Sequence, residues 1–263
     1  MKTRGLCGST LKIIAIISMV FDHIGRIVIE NGLIMKSPRG ALSDETFSII
    51  EKSADICGIL GRVAFPIFCF LLVEGFLHTR SVLSYGRNLA LFAIFTEPIY
   101  DYAFTGKLID FSQQNVMFEL LLGLLVLVFI DTLGKKFPIK NKVCFKLAEV
   151  CLSIIGLFAG LLSQKLFLDG GLYGIAMIIA FYLLRDMKVL KVIVGILIVL
   201  FFDCYLIGGG FDFSLSNVLQ LESFSGILSM ILIYFYNGKR GLRMKYFFYG
   251  FYPVHLLLLS FLS

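Results

Sequence analysis

The stretch LKIIAIISMVFDHIGRIVIENGL, Leu11 to Leu33, decides the fold. It is long and apolar enough to cross a bilayer as a helix, yet it carries Asp22, His23, Arg26 and Glu30. At about 100° and 1.5 Å per residue, Asp22, Arg26 and Glu30 fall at i, i+4 and i+8 on one face. Lys12 lies about 20° around the helix from His23 and roughly 16 Å along it, so a cation at one membrane surface and a histidine at mid-depth face the same space. An Asp, Arg or Lys at a helix centre costs about 2.5–3.5 kcal/mol on insertion scales, against roughly 0.3–0.6 gained per Leu, Ile, Val or Phe. A dozen aliphatics do not offset three such charges and a histidine in lipid. The polar face must line a watery cavity enclosed by protein. An intramembrane ionisable cluster is a functional site by default.

Composition extends that reading to the whole chain. Of 263 residues 58% are hydrophobic and 16% charged, and the mean hydropathy is +0.90. These values exclude an ordinary soluble domain and point to an all-α, polytopic membrane protein. No hydrophilic stretch is long enough for a second unit, so residues 1–263 are expected to form one domain. The net charge of +6 reports basic loops rather than affinity for nucleic acid. Cys7, Cys57, Cys69, Cys144, Cys151 and Cys204 show no paired spacing, which argues against a disulfide framework or a metal site. The first apolar segment is too long for a cleavable signal and lacks a small-residue cleavage site.

Apolar runs of helical length fall near 11–33, 56–79, 82–105, 115–134, 145–168, 171–185, 189–208, 221–237 and 244–262, which predicts about nine crossings. Basic connections alternate with poor ones. Lys2 and Arg4 precede the first run, Arg80 and Arg87 flank the second turn, and Lys135, Lys136, Lys140, Lys142 and Lys146 fill the fourth. Arg185, Lys188 and Lys191 occupy the sixth; Lys239, Arg240, Arg243 and Lys245 occupy the eighth. By the positive-inside rule the N-terminus is expected inside and the C-terminus outside. Arg62, Glu97, Asp101, Asn115, Glu119 and Asp203 then lie toward the outer side, with Pro98 a kink between two of the acids. Tyr252, Pro253 and His255 lie at mid-depth or above. Glu74, His78 and Arg80 lie at the inner end.

Each polar group has a structural alternative. His23 either does chemistry or holds helices together. Glu97, Asp101, Glu119 and Asp203 either meet a substrate or pair with Arg26 and Arg62, since buried charges need partners. His255 is a second base, a substrate contact or a helix-bridging group. GLYG at 171–174 and GGG at 208–210 lack the strand–turn–helix setting of a phosphate loop and read as turns.

The segments LKIIAIISMVFDHIGR, GRVAFPIFCFLLVEGFLHTR (61–80), the Glu-Pro-x-x-Asp at 97–101, NVMFELLLGL (115–124) and YPVHLLLL (252–259) resemble the TraX family, named for the pilin acetylase of conjugative plasmids, over nearly the whole chain. The Lys12-x10-His23 spacing is similar to the basic-residue-x10-His signature of transmembrane acyltransferases, which include O-acetylases of surface glycans. The resemblance implies acetyl-CoA bound from the cytoplasm, passage of the acyl group through a bacterial cytoplasmic membrane, and an acceptor outside. It implies His23 as the catalytic histidine and Lys12 as a coenzyme contact.

The residues fit that expectation. Lys12, Arg80 and Arg87 offer cations for the coenzyme's phosphates at the inner face. Asp22 is a carboxylate that could orient His23, and a neutral imidazole could take the acceptor's proton. Direct transfer and an acyl-histidine intermediate are both open. Glu97, Asp101 and Glu119, with His255, Arg26 and Arg62, form the expected acceptor vestibule; its acidity mildly favours a peptide or amino-sugar amine over a glycan hydroxyl. A proton-coupled transporter is the rival class, but no internal repeat of the kind such carriers show is evident.

Overall fold

The computed structural model describes residues 5–37, 43–136, 142–207 and 221–263. Lys2, Arg4, Arg39, Lys140 and the glycines at 208–210 lie outside the described residues. The described chain is helical throughout: α1 (Gly8–His23), a π-helix (Ile24–Ile34), α2 (Asp44–Gly61), α3 (Ala64–His78), α4 (Val82–Thr105), α5 (Val116–Lys136), α6 (Lys142–Lys165), α7 (Gly171–Leu183), α8 (Lys188–Ile207), α9 (Leu221–Tyr234) and α10 (Lys245–Ser260). Each of the nine apolar runs has become helix. Three stretches are long and apolar enough to cross a membrane by length and composition: Asp44–His78 with its internal break, Val116–Lys135 and Lys146–Lys165. Outward faces carry exposed Ile17, Leu91, Phe95, Ile155, Phe158 and Leu197, an apolar exterior suited to lipid.

Two details depart from the sequence reading. The second helical run starts at Asp44 rather than near residue 56, because Ser43 caps it through its hydroxyl and the Thr46 N–H (3.2 Å). It breaks at 62–63, where Pro66 has no N–H to donate and its ring would clash with the Arg62 carbonyl. Ser18 of α1 serves that break, donating to the carbonyls of Leu60 (2.5 Å) and Gly61 (3.0 Å). Gly61 is required there, since a Cβ would stand 2.4 Å from the Asp22 Cβ.

The second departure is the π-helix that begins directly after His23. Its last turn shows the i→i−5 bond, Met35 N–H to the Glu30 carbonyl at 2.9 Å. A wider helix turns less per residue, yet Glu30 stays among the charged neighbours of both Arg26 and Asp22. Asp22 and Arg26 do meet, at 3.4 Å, and Glu30 is exposed.

The interior has two parts. One is a packed apolar core in which Leu11, Ile67, Phe70, Leu124, Ile178 and Phe181 interlock across α1, α3, α5 and α7. The second, between α1, the π-helix, α4 and α10, joins Met19, Ile27, Ala93, Tyr100, Tyr252 and Leu256. Contacts define two ends of the bundle. At one, Leu6 pairs with Tyr236, and the N–H groups of Gly8 and Ser9 donate to the carbonyls of Lys239 (2.7 Å) and Arg240 (2.9 Å). At the other, Gln114 pairs with Leu168, and the Asn31 amide donates to the Phe104 carbonyl at 2.9 Å.

Candidate active site

At the join between α1 and the π-helix, His23 is 7% exposed and its Nδ1 lies 2.7 Å from Nε2 of His255 on α10. The ring planes are within 9° and the centroids 4.9 Å apart, the arrangement of two imidazoles bonded edge to edge in one plane. The Nδ1 of His255 lies 2.9 Å from the Phe251 carbonyl, which can only accept. That contact fixes the order in the neutral pair. His255 donates from Nδ1 to Phe251, its Nε2 accepts, and His23 donates from Nδ1, leaving the Nε2 lone pair of His23 available as a base. Phe104 stands edge-on to His23 with centroids 5.7 Å apart, and Tyr252 lies at 6.1 Å. The base therefore sits in an aromatic box.

Asp22, expected to orient His23, does not. Adjacent residues on a helix point about 100° apart, and Asp22 turns toward Arg26 and Gly61. The orienting group is His255. Arg62 donates to Asp203 at 2.9 Å, joining α3's start to α8. Arg26 has Asp22, Asp169, Tyr100 and Glu30 as its electrostatic neighbours. Asp169 was not singled out in the sequence; its signal is an acid set immediately before the Gly170–Gly171 turn. Tyr252, placed near His255 by the sequence, stands against both histidines, and buried Tyr100, which packs on Phe104, was hidden among many aromatics.

The expected acidic vestibule lies at the end opposite Lys12, and hydrogen bonds rather than Arg26 or Arg62 hold its carboxylates. Glu97 accepts from the Asn115 backbone N–H (3.1 Å) and, very closely, from the Asn115 side-chain amide; Asn115 also caps α5 through Met117 N–H at 3.0 Å. Asp101 accepts the Asp110 N–H at 2.8 Å. Glu119, fully buried, accepts the Ser163 hydroxyl, and a Cβ at Gly174 would stand 2.6 Å from its Oε1. One oxygen each of Glu97 and Glu119 is buried with no hydrogen-bond partner. Glu97 and Asp101 line a cavity of about 250 Å³ with Pro98, Leu108, Phe111 and Phe118. Its rim is the loop after α4, where Ser112 and Lys107 hold the Asp110 carboxyl down to about 2.

At the other end, the Lys12 ammonium lies 5.2 Å from the Phe248 ring centre and has Arg240 as its charged neighbour. Arg240 arrives on the loop before α10 that is tied to the start of α1. Arg80 and Arg87 sit exposed at the end of α3 and the start of α4, on the same side of the bundle. The sequence treated Arg240 only as a loop cation; the chain-distant pairing with Lys12 has no local signal.

The fold and this centre define an all-helical protein, with three stretches long and apolar enough to cross a membrane, in which a histidine pair is buried among aromatic side chains. Residues 7–263 match the family described as TraX protein, and the chain belongs to that family. It is 29% identical over 262 residues to a probable fimbrial assembly protein, FimC of serogroup H1, from Dichelobacter nodosus, covering 95% of this chain and 92% of the relative. No solved structure matches.

Proposed function

We propose that this protein is a transmembrane acetyltransferase, moving an acetyl group from cytoplasmic acetyl-CoA to an acceptor amine beyond the membrane. The observation that carries the reading is the His23–His255 pair, whose bonding leaves Nε2 of His23 free as a base. Nε2 takes a proton from the acceptor's ammonium, the freed amine attacks the thioester carbonyl, and the coenzyme thiolate leaves, taking the nitrogen's second proton. The imidazolium so formed is steadied by the bond its Nδ1–H makes to His255. Lys12, with Arg240, supports phosphate binding at the basic end, which the positive-inside rule sets in the cytoplasm. The acidic, partly apolar cavity at Glu97 and Asp101 supports a cationic amine as acceptor. The relative's fimbrial assembly description fits an acceptor on a surface filament.

The test is transfer across proteoliposomes, with acetyl-CoA on one side and a peptide amine on the other. Wild-type protein should acetylate the peptide. His23→Ala should bind the donor normally, since Lys12 is roughly 16 Å away along the helix, yet transfer 10²-fold or more slowly, as for a lost general base. Near wild-type transfer by His23→Ala would sink the mechanism.

A further inference from the structure

A second cavity, of about 240 Å³, opens at the basic end between α3, the α7–α8 turn and the end of α9, and shares no lining residue with the histidine site. Its wall holds Arg185, Lys188 and Lys191 against a single acid, Glu74. Lys191 is 9% exposed. Its ammonium donates to the Arg185 carbonyl at 3.2 Å and lies 5.3 Å from the Phe70 ring centre. An ammonium has three donors, so its charge is buried with most of its bonding capacity unused. Arg185 is already engaged by Glu149 at 2.8 Å, whereas Lys188 is exposed and rests against Tyr234. Glu74 is shared with the Tyr236 hydroxyl and with His78, 3.8 Å away. Glu74 and Asp186 both act on Lys191 and Lys188 opposes them, so the cavity wall still sets three cations against one acid, and a buried cation in that setting is costly unless an anion completes it.

We infer that this cavity binds a phosphate-bearing anion, with the headgroup of an anionic phospholipid as the source the surroundings favour. The volume lies below the roughly 300–1,000 Å³ of clefts that hold drug-sized ligands, so it suits a headgroup rather than a whole nucleotide. Val189, Leu190 and Ile193 leave an exposed apolar strip on the adjoining face of α8, where acyl chains would lie. Basic pockets between transmembrane helices on the cytoplasmic side bind such headgroups.

The full-length protein in neutral detergent is followed by thermal unfolding while short-chain phosphatidylglycerol, phosphatidylcholine or inorganic phosphate is titrated at constant ionic strength. Phosphatidylglycerol should raise the midpoint more than phosphatidylcholine. Lys191→Met, which keeps the stem over Phe70, should weaken apparent affinity about tenfold or more through loss of a charge-assisted contact. Lys188→Gln, at an exposed position that any fold tolerates, should weaken it in the same direction and carries the test if Lys191→Met does not fold. An equal response to inorganic phosphate, again lost in the variants, keeps the site but assigns it to a soluble phosphate. No selective shift, or a shift undiminished in the variants, overturns the inference.

Discussion

The two interiors of this bundle follow different rules. Around α3 the core is mostly apolar: Ile67, Phe70, Leu124, Ile178 and Phe181 are buried together, with Lys191 over Phe70 and Glu119 near Cys69 at its edges. Around the π-helix and α10 the same depth of burial holds His23, His255, Tyr100, Tyr252 and Asn115. The first region gains from shape alone. The second must satisfy each polar atom or leave it for a ligand, and Glu97 and Thr96 keep oxygens without partners. Stability is thus concentrated in one half and chemistry in the other.

The sharpest way to break that contrast is to damage each half and compare. Ile178, fully buried among apolar neighbours, should cost about 2–5 kcal/mol when truncated to Ala. Unfolding in detergent measures the loss, and transfer per folded molecule should stay unchanged. If Ile178→Ala instead slows transfer in the folded fraction, the halves are coupled. His255→Ala should do the reverse. Removing a hydrogen bond to a charged imidazolium costs roughly 1.5–3 kcal/mol, about ten- to a hundredfold in rate. The loss should fall on kcat with the donor KM held, and His255→Gln, whose amide oxygen can accept from His23, should recover part of it. A rise in KM alone would make His255 a substrate contact rather than a positioning residue.

A smaller effect belongs at the basic end. Lys12→Ala should raise the donor KM by about tenfold, the weight of one charge-assisted contact, and Arg240→Ala should act in the same direction. An unchanged KM for both removes this pair from the donor site.

The helices were legible because apolar runs of bilayer length leave few alternatives, and all nine runs became helix. His23 and Lys12 stood out because charge inside an apolar run is expensive. What escaped the sequence is what α-helical geometry cannot express. The π-helix after His23 leaves no mark in an α-helical period, and the Ser43 cap moves the second helix's start to Asp44. Partnerships across the chain were also out of reach: His23 with His255, Glu97 with Asn115 and Lys12 with Arg240 join residues far apart in number. Asp22 shows the error in small. Sequence adjacency suggested an orienting carboxylate, but neighbours on a helix diverge.

The mildest prediction tests the joint at the foot of the polar half, where α1 is fastened to the loop that brings Arg240. Cys7 stands just before α1 with its sulfur 3.1 Å from the Ser9 hydroxyl and 3.2 Å from that of Thr10. The hydroxyl of Ser9 first, then that of Thr10, stabilise the thiolate and lower its pKa to about 7. A free cysteine titrates near 8.5. Because the folded value is the lower one, the stabilisation is complete above the unfolded pKa and fades as pH falls through about 7. Iodoacetamide labelling of Cys7, followed by mass spectrometry against pH, should therefore reach half its maximal rate near pH 7. Ser9→Ala should move that midpoint upward. The Ser9 hydroxyl also accepts the Leu242 N–H at 3.1 Å, so the same variant should loosen the loop and raise the donor KM only if Arg240 depends on that clasp. A wild-type midpoint at the ordinary thiol value would mean that the clasp is not closed, and that Arg240 reaches Lys12 by some other route.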